Sequence, residues 1–354
     1  MRSKQQEWEY LPMSRALLPI IWHFIKLAFQ NRDILFFSNV NPSIEFSGML
    51  GESKIDILNQ IPAAFKPQTL FLSEDLTDYE CLDRFEQSML SFPVVIKPNV
   101  GERGFLVRLI HNEEQLKHYI KLYGVDLIVQ EYIDLPEELA LFYYRLPGEK
   151  EIHISSVCKK AFLSVQGDGQ STVLELMQKN NRAKRQIQRF KIEKAALLSE
   201  IPQKGEVLVL EKIGNHSKGT AFLNGEEIIC QETKEVFQKI ALKMPQIHYG
   251  RFDLKYRSPD HLKNGKDIRI MEFNGVSAEP AHIYDPAIPI AEKYRIYKSH
   301  YSMISTIHQI QKKRGISTGS LYDFLKFALA YKRRTDLNRI PYRKVHKHEQ
   351  LVVV

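Results

Sequence analysis

Cysteine is scarce in this chain: Cys81, Cys158 and Cys230 stand far apart, without the paired spacing of a metal site or a redox couple. Free thiols are the expected state, and they fit a reducing compartment such as the cytoplasm. Internal repeats and low-complexity segments are also absent, which excludes solenoid and tail-like architectures. No apolar run is long enough to span a bilayer. The nearest candidate, Ala16 to Gln30, is interrupted by Pro19, His23 and Lys26. No small-residue cleavage pattern follows it, so it does not read as a secretory signal. A helix buried against the body is expected there, with His23, Lys26 and Gln30 on one face; a dimer or membrane-surface face is the other reading. No nucleic-acid-binding motif of the required spacing occurs, and no nucleic-acid partner is expected.

What the chain does have is length and an uneven charge. Its 354 residues, 44% hydrophobic, are enough for more than one layered domain. From Lys312 to the end there are eleven Lys/Arg against three Asp/Glu, a net of +8. The whole chain also has a formal charge of +8, so residues 1–311 balance to zero. Within this basic tail Ser320 and Asp323 form a capping-box pattern ahead of an apolar stretch, Phe324 to Tyr331. The plain reading is a helix packed on the body with a solvated basic end. The sharper one is contact with an anionic surface such as inner-leaflet lipid.

The most informative pattern lies at Arg251-Phe-Asp253-Leu-Lys255 and Ile268-Arg-Ile-Met-Glu272-Phe-Asn274. Read with period two, Arg251, Asp253 and Lys255 share one strand face, and Glu272 and Asn274 share a face of the next strand. Turn residues between the two runs let them pair as neighbours. Two carboxylates and an amide oxygen then converge. Hard oxygen donors without thiolate or imidazole suit Mg²⁺, which binds carboxylates together with substrate phosphates. Glu272 sits in a run apolar enough to be largely buried, where a carboxylate needs a partner or a metal. A solvated sheet face remains the other reading of these residues alone.

A phosphate-binding part exists upstream. Pro93-Val-Val-Ile-Lys97-Pro-Asn-Val-Gly101 through Gly104-Phe-Leu-Val reads as strand, glycine turn, strand. Lys97 ends the apolar run just before the turn, and Gly101 and Gly104 let backbone N–H groups approach anionic oxygens. No Gly-Lys-Ser/Thr follows the glycines, so this is not a Walker A loop. An ordinary hairpin with a surface lysine is the alternative for this segment by itself. A third segment, Leu127-Ile-Val-Gln130-Glu131-Tyr-Ile133-Asp-Leu-Pro-Glu137, reads as strand, short connection, strand.

These pieces, in this order, resemble the ATP-grasp superfamily, and most nearly the D-alanine–D-alanine ligase and cyanophycin synthetase type of carboxylate–amine ligase. The likeness covers roughly residues 54 to 290. It implies that Lys97 is the phosphate-binding lysine ahead of the glycine loop, with Lys54 an earlier one. It implies that Gln130 to Ile133 is the hinge holding adenine, through the backbones of Glu131 and Ile133, and that Glu137 meets the ribose. Asp253, Glu272 and Asn274 match the family's magnesium ligands, for two ions beside ATP. Arg251 resembles the arginine that stabilises the tetrahedral intermediate.

Two departures bear on the substrate. Only about fifty residues precede Lys54, too few for the full α/β domain that the ligases carry there. After Asn274 the chain reads Gly275-Val-Ser-Ala-Glu279-Pro-Ala-His282 in place of a Ser-Pro-Gly type turn, so the acceptor end differs. The Gly167-Asp168-Gly169 turn before a helix resembles the cyanophycin and glutathione ligases, with Ser171 or Thr172 as N-cap.

The expected fold is α+β, an ATP-grasp fold with ATP between two antiparallel sheets. Its expected parts are a reduced N-terminal segment (1–53), a lid subdomain (54–131), a catalytic subdomain (132–311) with a basic helical insertion at 171–200, and the tail (312–354). A short strand is expected at Asp33 to Phe37. The implied function is amide formation from a small carboxylate and an amine through an acyl phosphate. A phosphotransferase on the same scaffold and a non-catalytic nucleotide-binding partner protein are the alternatives.

Overall fold

The computed structural model describes residues 13–101, 104 and 106–333, the side chains of 13–17 excepted. The basic tail beyond 333 lies outside the described residues. The chain forms two compact units, one from the residues up to Lys159 together with those from Leu223 onward, the other from Lys160–Phe222.

In the first unit α1 (Met13–Asn31) leads into turns, and the strand expected at Asp33–Phe37 does not form. The Asp33 carboxylate accepts from the Leu35 N–H at 2.8 Å, a local turn that competes with strand pairing. Helix α2 (Lys54–Gln60) starts at Ser53, whose hydroxyl accepts from Asp56 N–H. Next come β1 (Thr69–Leu72), α3 (Asp78–Gln87), β2 (Val94–Pro98), β3 (Arg108–Ile110), α4 (Glu113–Leu122) and β4 (Leu127–Glu131). Thr77 and Asn112 cap the two helices through their side chains. The strands form an antiparallel sheet in the order β1-β4-β2-β3. Strands β5 (Glu137–Tyr144) and β6 (His153–Ala161) begin a second sheet.

The second unit holds β7 (Ser164–Gln166), α5 (Val173–Lys179), α6 (Ile187–Glu193) and β8 (Val207–Val209). Its core includes Val173, Met177, Ala183 and Phe190. The single helix expected over 171–200 is broken, because the Asn180 side chain accepts from the N–H groups of Arg182 and Ala183 and turns the chain. Thr172 and Glu175 close a full capping box at the start of α5. Arg189 is held within this unit by Glu193 and Glu211.

After β9 (Ala221–Asn224) and α7 (Gln231–Leu242) come β10 (Tyr249–Tyr256), α8 (Pro259–Lys263), β11 (Ile268–Asn274) and α9 (Ile290–Lys313). A last helix, α10, spans 321–333. The larger sheet has the order β11-β10-β5-β6-β9. One of its faces buries Phe252, Leu254, Ile268, Ile270 and Phe273 against Phe237 and Ile240 of α7. At one end of the other face Tyr249 and Phe142 pack with Leu27 of α1 and Ile304 and Ile307 of α9. The rest of that face carries the polar residues.

The segment before α2 is stitched onto this sheet. The Asn41 amide oxygen accepts from His248 and Tyr249 N–H at 2.8 and 3.0 Å, and its NH₂ donates to the Tyr249 carbonyl at 2.8 Å. Val276 N–H donates to Ser47 O at 2.9 Å and Ser277 N–H to Gly48 O at 3.1 Å. Phe46 and Ser47 both adopt left-handed backbone (φ 44° and 59°), a strain that the surrounding hydrogen bonds hold in place. The contact is close enough to require glycine: a Cβ on Gly275 would lie 2.2 Å from Ser47 O. Gly275→Ala is therefore expected to lower stability by about 1–3 kcal/mol, seen as a lower urea midpoint at unchanged slope. An unchanged midpoint would contradict this packing.

Candidate functional site

The polar face is built by the pairing of β10 with β11. Arg251 pairs with Asn274, Phe252 with Phe273 and Asp253 with Glu272, and then the register shifts so that Leu254 meets Ile270. Met271 is the extra residue. Strict alternation would put Ile268, Ile270, Glu272 and Asn274 on one face. The bulge reverses the parity, so the two isoleucines stay in the core while Glu272 and Asn274 join Arg251 and Asp253.

On that face Arg251 donates to Asp253 Oδ2 through Nε and Nη2, at 3.2 and 3.0 Å. Asn274 Nδ2 donates to the same oxygen at 2.8 Å. Arg251 Nη1 reaches the Glu279 carbonyl at 3.0 Å. Glu272 is not largely buried as its apolar neighbours imply. Its side chain keeps 36% of its exposure, facing the Lys54 ammonium at 3.9 Å.

The smaller sheet supplies the cations. Lys97 Nζ donates to Gln130 Oε1 at 3.2 Å and to the bulged Met271 carbonyl at 3.4 Å, which ties the two sheets together at this point. Gln130 is fixed in turn by Thr69 Oγ1 at 3.2 Å. Gln130 thus sets the Lys97 position. Lys54 Nζ donates to the Gly101 carbonyl at 2.5 Å. Asn99, unremarked in the sequence, accepts from Ile55 N–H through Oδ1 and donates to Ser53 Oγ, fastening the turn to the start of α2. Gly104 takes φ +68°, and among the described residues a Cβ on Gly101 would meet nothing closer than 3.9 Å. Residues 102, 103 and 105 of this turn lie outside the described residues.

Beyond β4, Glu131 N–H donates to the Gln68 carbonyl at 2.9 Å, and Ile133 O accepts from Lys255 Nζ at 3.0 Å. Lys255 is a residue the sequence reading placed on this face without a role. Glu137, expected at the ribose, lies on the face opposite Arg251 and Asp253. Glu137 pairs with Tyr256 and shares the core face with Leu139 and Leu141, whereas Glu138 pairs with Lys255 and lies on the polar face. Side chains alternate across the sheet, so the adjacent acid is the one that shares a face with Arg251 and Asp253. Glu138 is buried there.

Another acid escaped the sequence reading. Burial raises the Glu52 carboxyl to about 7, with Lys54 opposing the shift and Glu272 adding to it. Its only sequence signal is a place two residues ahead of Lys54. In the segment after β11 Glu279 accepts from the Tyr284 and Tyr297 hydroxyls at 2.5 and 2.6 Å. Ser156 Oγ lies 2.5 Å from His282 Nδ1, and burial keeps that imidazole below its usual pKa. Among the described residues no group of three or more His, Cys, Asp and Glu side chains is placed to hold a metal. The set on this face is two carboxylates and an amide, a donor chemistry that fits a hard divalent cation.

Residues 53–142 match the family described as the RimK-like ATP-grasp domain. No curated protein sequence matches the chain. Among solved structures it is similar to a bifunctional glutathione synthetase from Pasteurella multocida (TM-score 0.37, 18% identity, 68% of this chain and 34% of that one). It is also similar to the VanG D-Ala:D-Ser ligase from Enterococcus faecalis (0.41, 12%, 76% and 64%). A third is a D-alanine–D-alanine ligase from Bacillus anthracis (0.36, 17%, 71% and 64%). The chain thus spans from about a third to just under two thirds of the length of these structures. Over residues 53–142, which hold the Lys97 strand, the glycine turn and the Gln130 strand, the ATP-grasp reading of the ordered motifs is matched by this family.

Burial lowers the Lys97 pKa from 10.5 to about 8; the Lys54 charge acts in the same sense, against the carboxylates of Glu272 and Asp253. Between those two pH values the unfolded chain holds a proton that the folded chain has released, so stability rises with pH across that window. Lys97→Met removes this rise, worth at most about 1.4 kcal/mol per pH unit. The variant should therefore be more stable than wild type at neutral pH and show a flatter dependence in alkali. Urea unfolding over this range checks it, and parallel pH profiles would contradict a buried ammonium.

Proposed function

We propose that this ATP-grasp chain is an ATP-dependent ligase that joins a small-molecule carboxylate to an amine, releasing ADP and phosphate. One observation carries the reading: Lys54, Lys97 and Arg251 converge with Asp253, Glu272 and Asn274 on one face, within one compact unit. A binding module needs no such set. The adenine lies at the Gln130–Ile133 hinge, which Lys255 holds from the β10 side, and Glu138 meets the ribose. Lys54 and Lys97 offset triphosphate charge beneath the Gly101–Gly104 turn.

Asp253, Glu272 and Asn274 would hold Mg²⁺, which when bound supplies positive charge against the phosphate oxygens. The substrate carboxylate attacks the γ-phosphorus in line, breaking the bond to ADP and giving an acyl phosphate. The amine then adds to the activated carbonyl. Arg251 stabilises the oxyanion of the tetrahedral adduct, and phosphate departs with its bonding pair to leave the amide. Glu279, His282 and Ser156, on the segments beside Arg251, are the groups available to read the acceptor. Water must be excluded while the acyl phosphate persists, which is the task of the glycine turn.

Asp253→Asn and Glu272→Gln are each expected to cut ADP release by about a hundredfold or more, measured with Mg²⁺-ATP and pooled amino acids, dipeptides and small acids. Full turnover in either variant would sink the metal assignment. Lys97→Ala should raise the nucleotide Kd about ten- to a hundredfold, as expected for one lost charged hydrogen-bonding partner. An unchanged Kd by calorimetry would remove Lys97 from the phosphate site. ADP with a phosphorylated acceptor, and no free phosphate, would replace the ligase by a phosphotransferase.

A further inference from the structure

Helix α1 was expected to be buried, and only one side of it is. Its inner side seats Ile20 and Leu27 in the core and links His23 Nε2 to Ser302 Oγ at 3.0 Å. Its outer side exposes Leu18, Ile21, Trp22, Ile25 and Phe29, at the i, i+3, i+4, i+7 spacing of a single helical stripe. Phe29 is 84% exposed and Trp22 76%. A shallow pocket beside this stripe is lined by Ile25, Ala28, Phe29, Ile34 and the guanidinium-bearing Arg32.

A second stripe of the same kind lies on α10, where Leu321, Tyr322, Leu325 and Leu329 are exposed. The two helices share one aromatic anchor. Phe24 of α1 lies 6.3 Å from Phe37, and Phe37 lies 5.7 Å from Phe324 of α10, ring centre to ring centre. Exposed apolar stripes of this length are uncommon on a monomer and mark an interaction surface.

The charge around the stripes selects the partner. Helix α1 contains no Asp or Glu and exposes Lys26. Residues 312–333 expose Lys312, Lys313, Arg314, Lys326, Lys332 and Arg333 against one acid, Asp323. A second copy docking stripe to stripe would bring these cations together. An anionic bilayer instead offers acyl chains to the apolar stripe and headgroup charge to the cations, while exposed Trp and Tyr are the side chains that favour its interface. Among the described residues no helix is long and apolar enough to cross a membrane. We infer that α1 and α10 form a docking surface that lays this protein on an anionic lipid bilayer without spanning it.

The test is co-sedimentation of the full chain with phosphatidylcholine vesicles, with and without phosphatidylserine. Binding should be about tenfold or more stronger with phosphatidylserine and fall with added salt. Trp22 emission, isolated by Trp8→Phe, should shift to the blue on binding. The doubles Trp22→Ser/Phe29→Ser and Leu325→Ser/Leu329→Ser should each lose most of the binding at an unchanged urea midpoint. If one double alters the midpoint, the other decides. No binding, or equal binding to neutral vesicles, would overturn the proposal. So would a concentration-dependent dimer by light scattering that the same doubles abolish, with no vesicle binding, since a second copy would then be the occupant.

Discussion

The register shift at Met271 is the constraint on which the candidate site depends. One extra residue in β11 turns Glu272 and Asn274 to the side of Arg251 and Asp253 while leaving Ile268, Ile270 and Phe273 in the core. The same bulge presents the Met271 carbonyl to Lys97, so the sheet carrying the acids and the sheet carrying this lysine meet at one point. Bulges commonly re-aim side chains next to functional sites, and here both consequences come from one inserted residue.

The segment before α2 belongs to this arrangement. Asn41 ties it to the first residues of β10, and the strained Phe46–Gly48 turn rests on Gly275, immediately after Asn274. It also carries Glu52 and Lys54 to the polar face, with Lys54 facing Glu272. The segment after Asn274 is fastened by Arg251 to the Glu279 carbonyl and by two tyrosines to the Glu279 carboxylate, so the departure in sequence there has a physical counterpart in a half-buried polar cluster.

Elements with strong local signals were legible from the sequence. Thr69–Leu72 and Glu113–Leu122 form where expected, because alternation or caps decide them without help from distant residues. The motifs within 53–142 were equally legible as an ATP-grasp domain. What was hidden required pairing partners. Glu138 could not be told from Glu137 until the register of β5 on β10 showed which acid shares a face with Lys255. The parity reversal at Met271 leaves no mark in an apolar run. The turn at Asp33 and the break at Asn180 came from side chains capturing backbone N–H groups within segments that composition reads as continuous. The outer stripe of α1 reads as core, since periodicity shows that a face is apolar and not what covers it.

The most direct test of the account follows oxygen from the acid substrate. Pooled amino acids and small acids labelled with oxygen-18 in the carboxylate would be turned over with Mg²⁺-ATP and an amine pool. The released phosphate and the product would then be weighed by mass spectrometry. The account predicts one labelled oxygen in each phosphate, and a product whose mass is acid plus amine less labelled water. Unlabelled phosphate, or label retained in a phosphorylated acceptor, would contradict an acyl phosphate formed at this site.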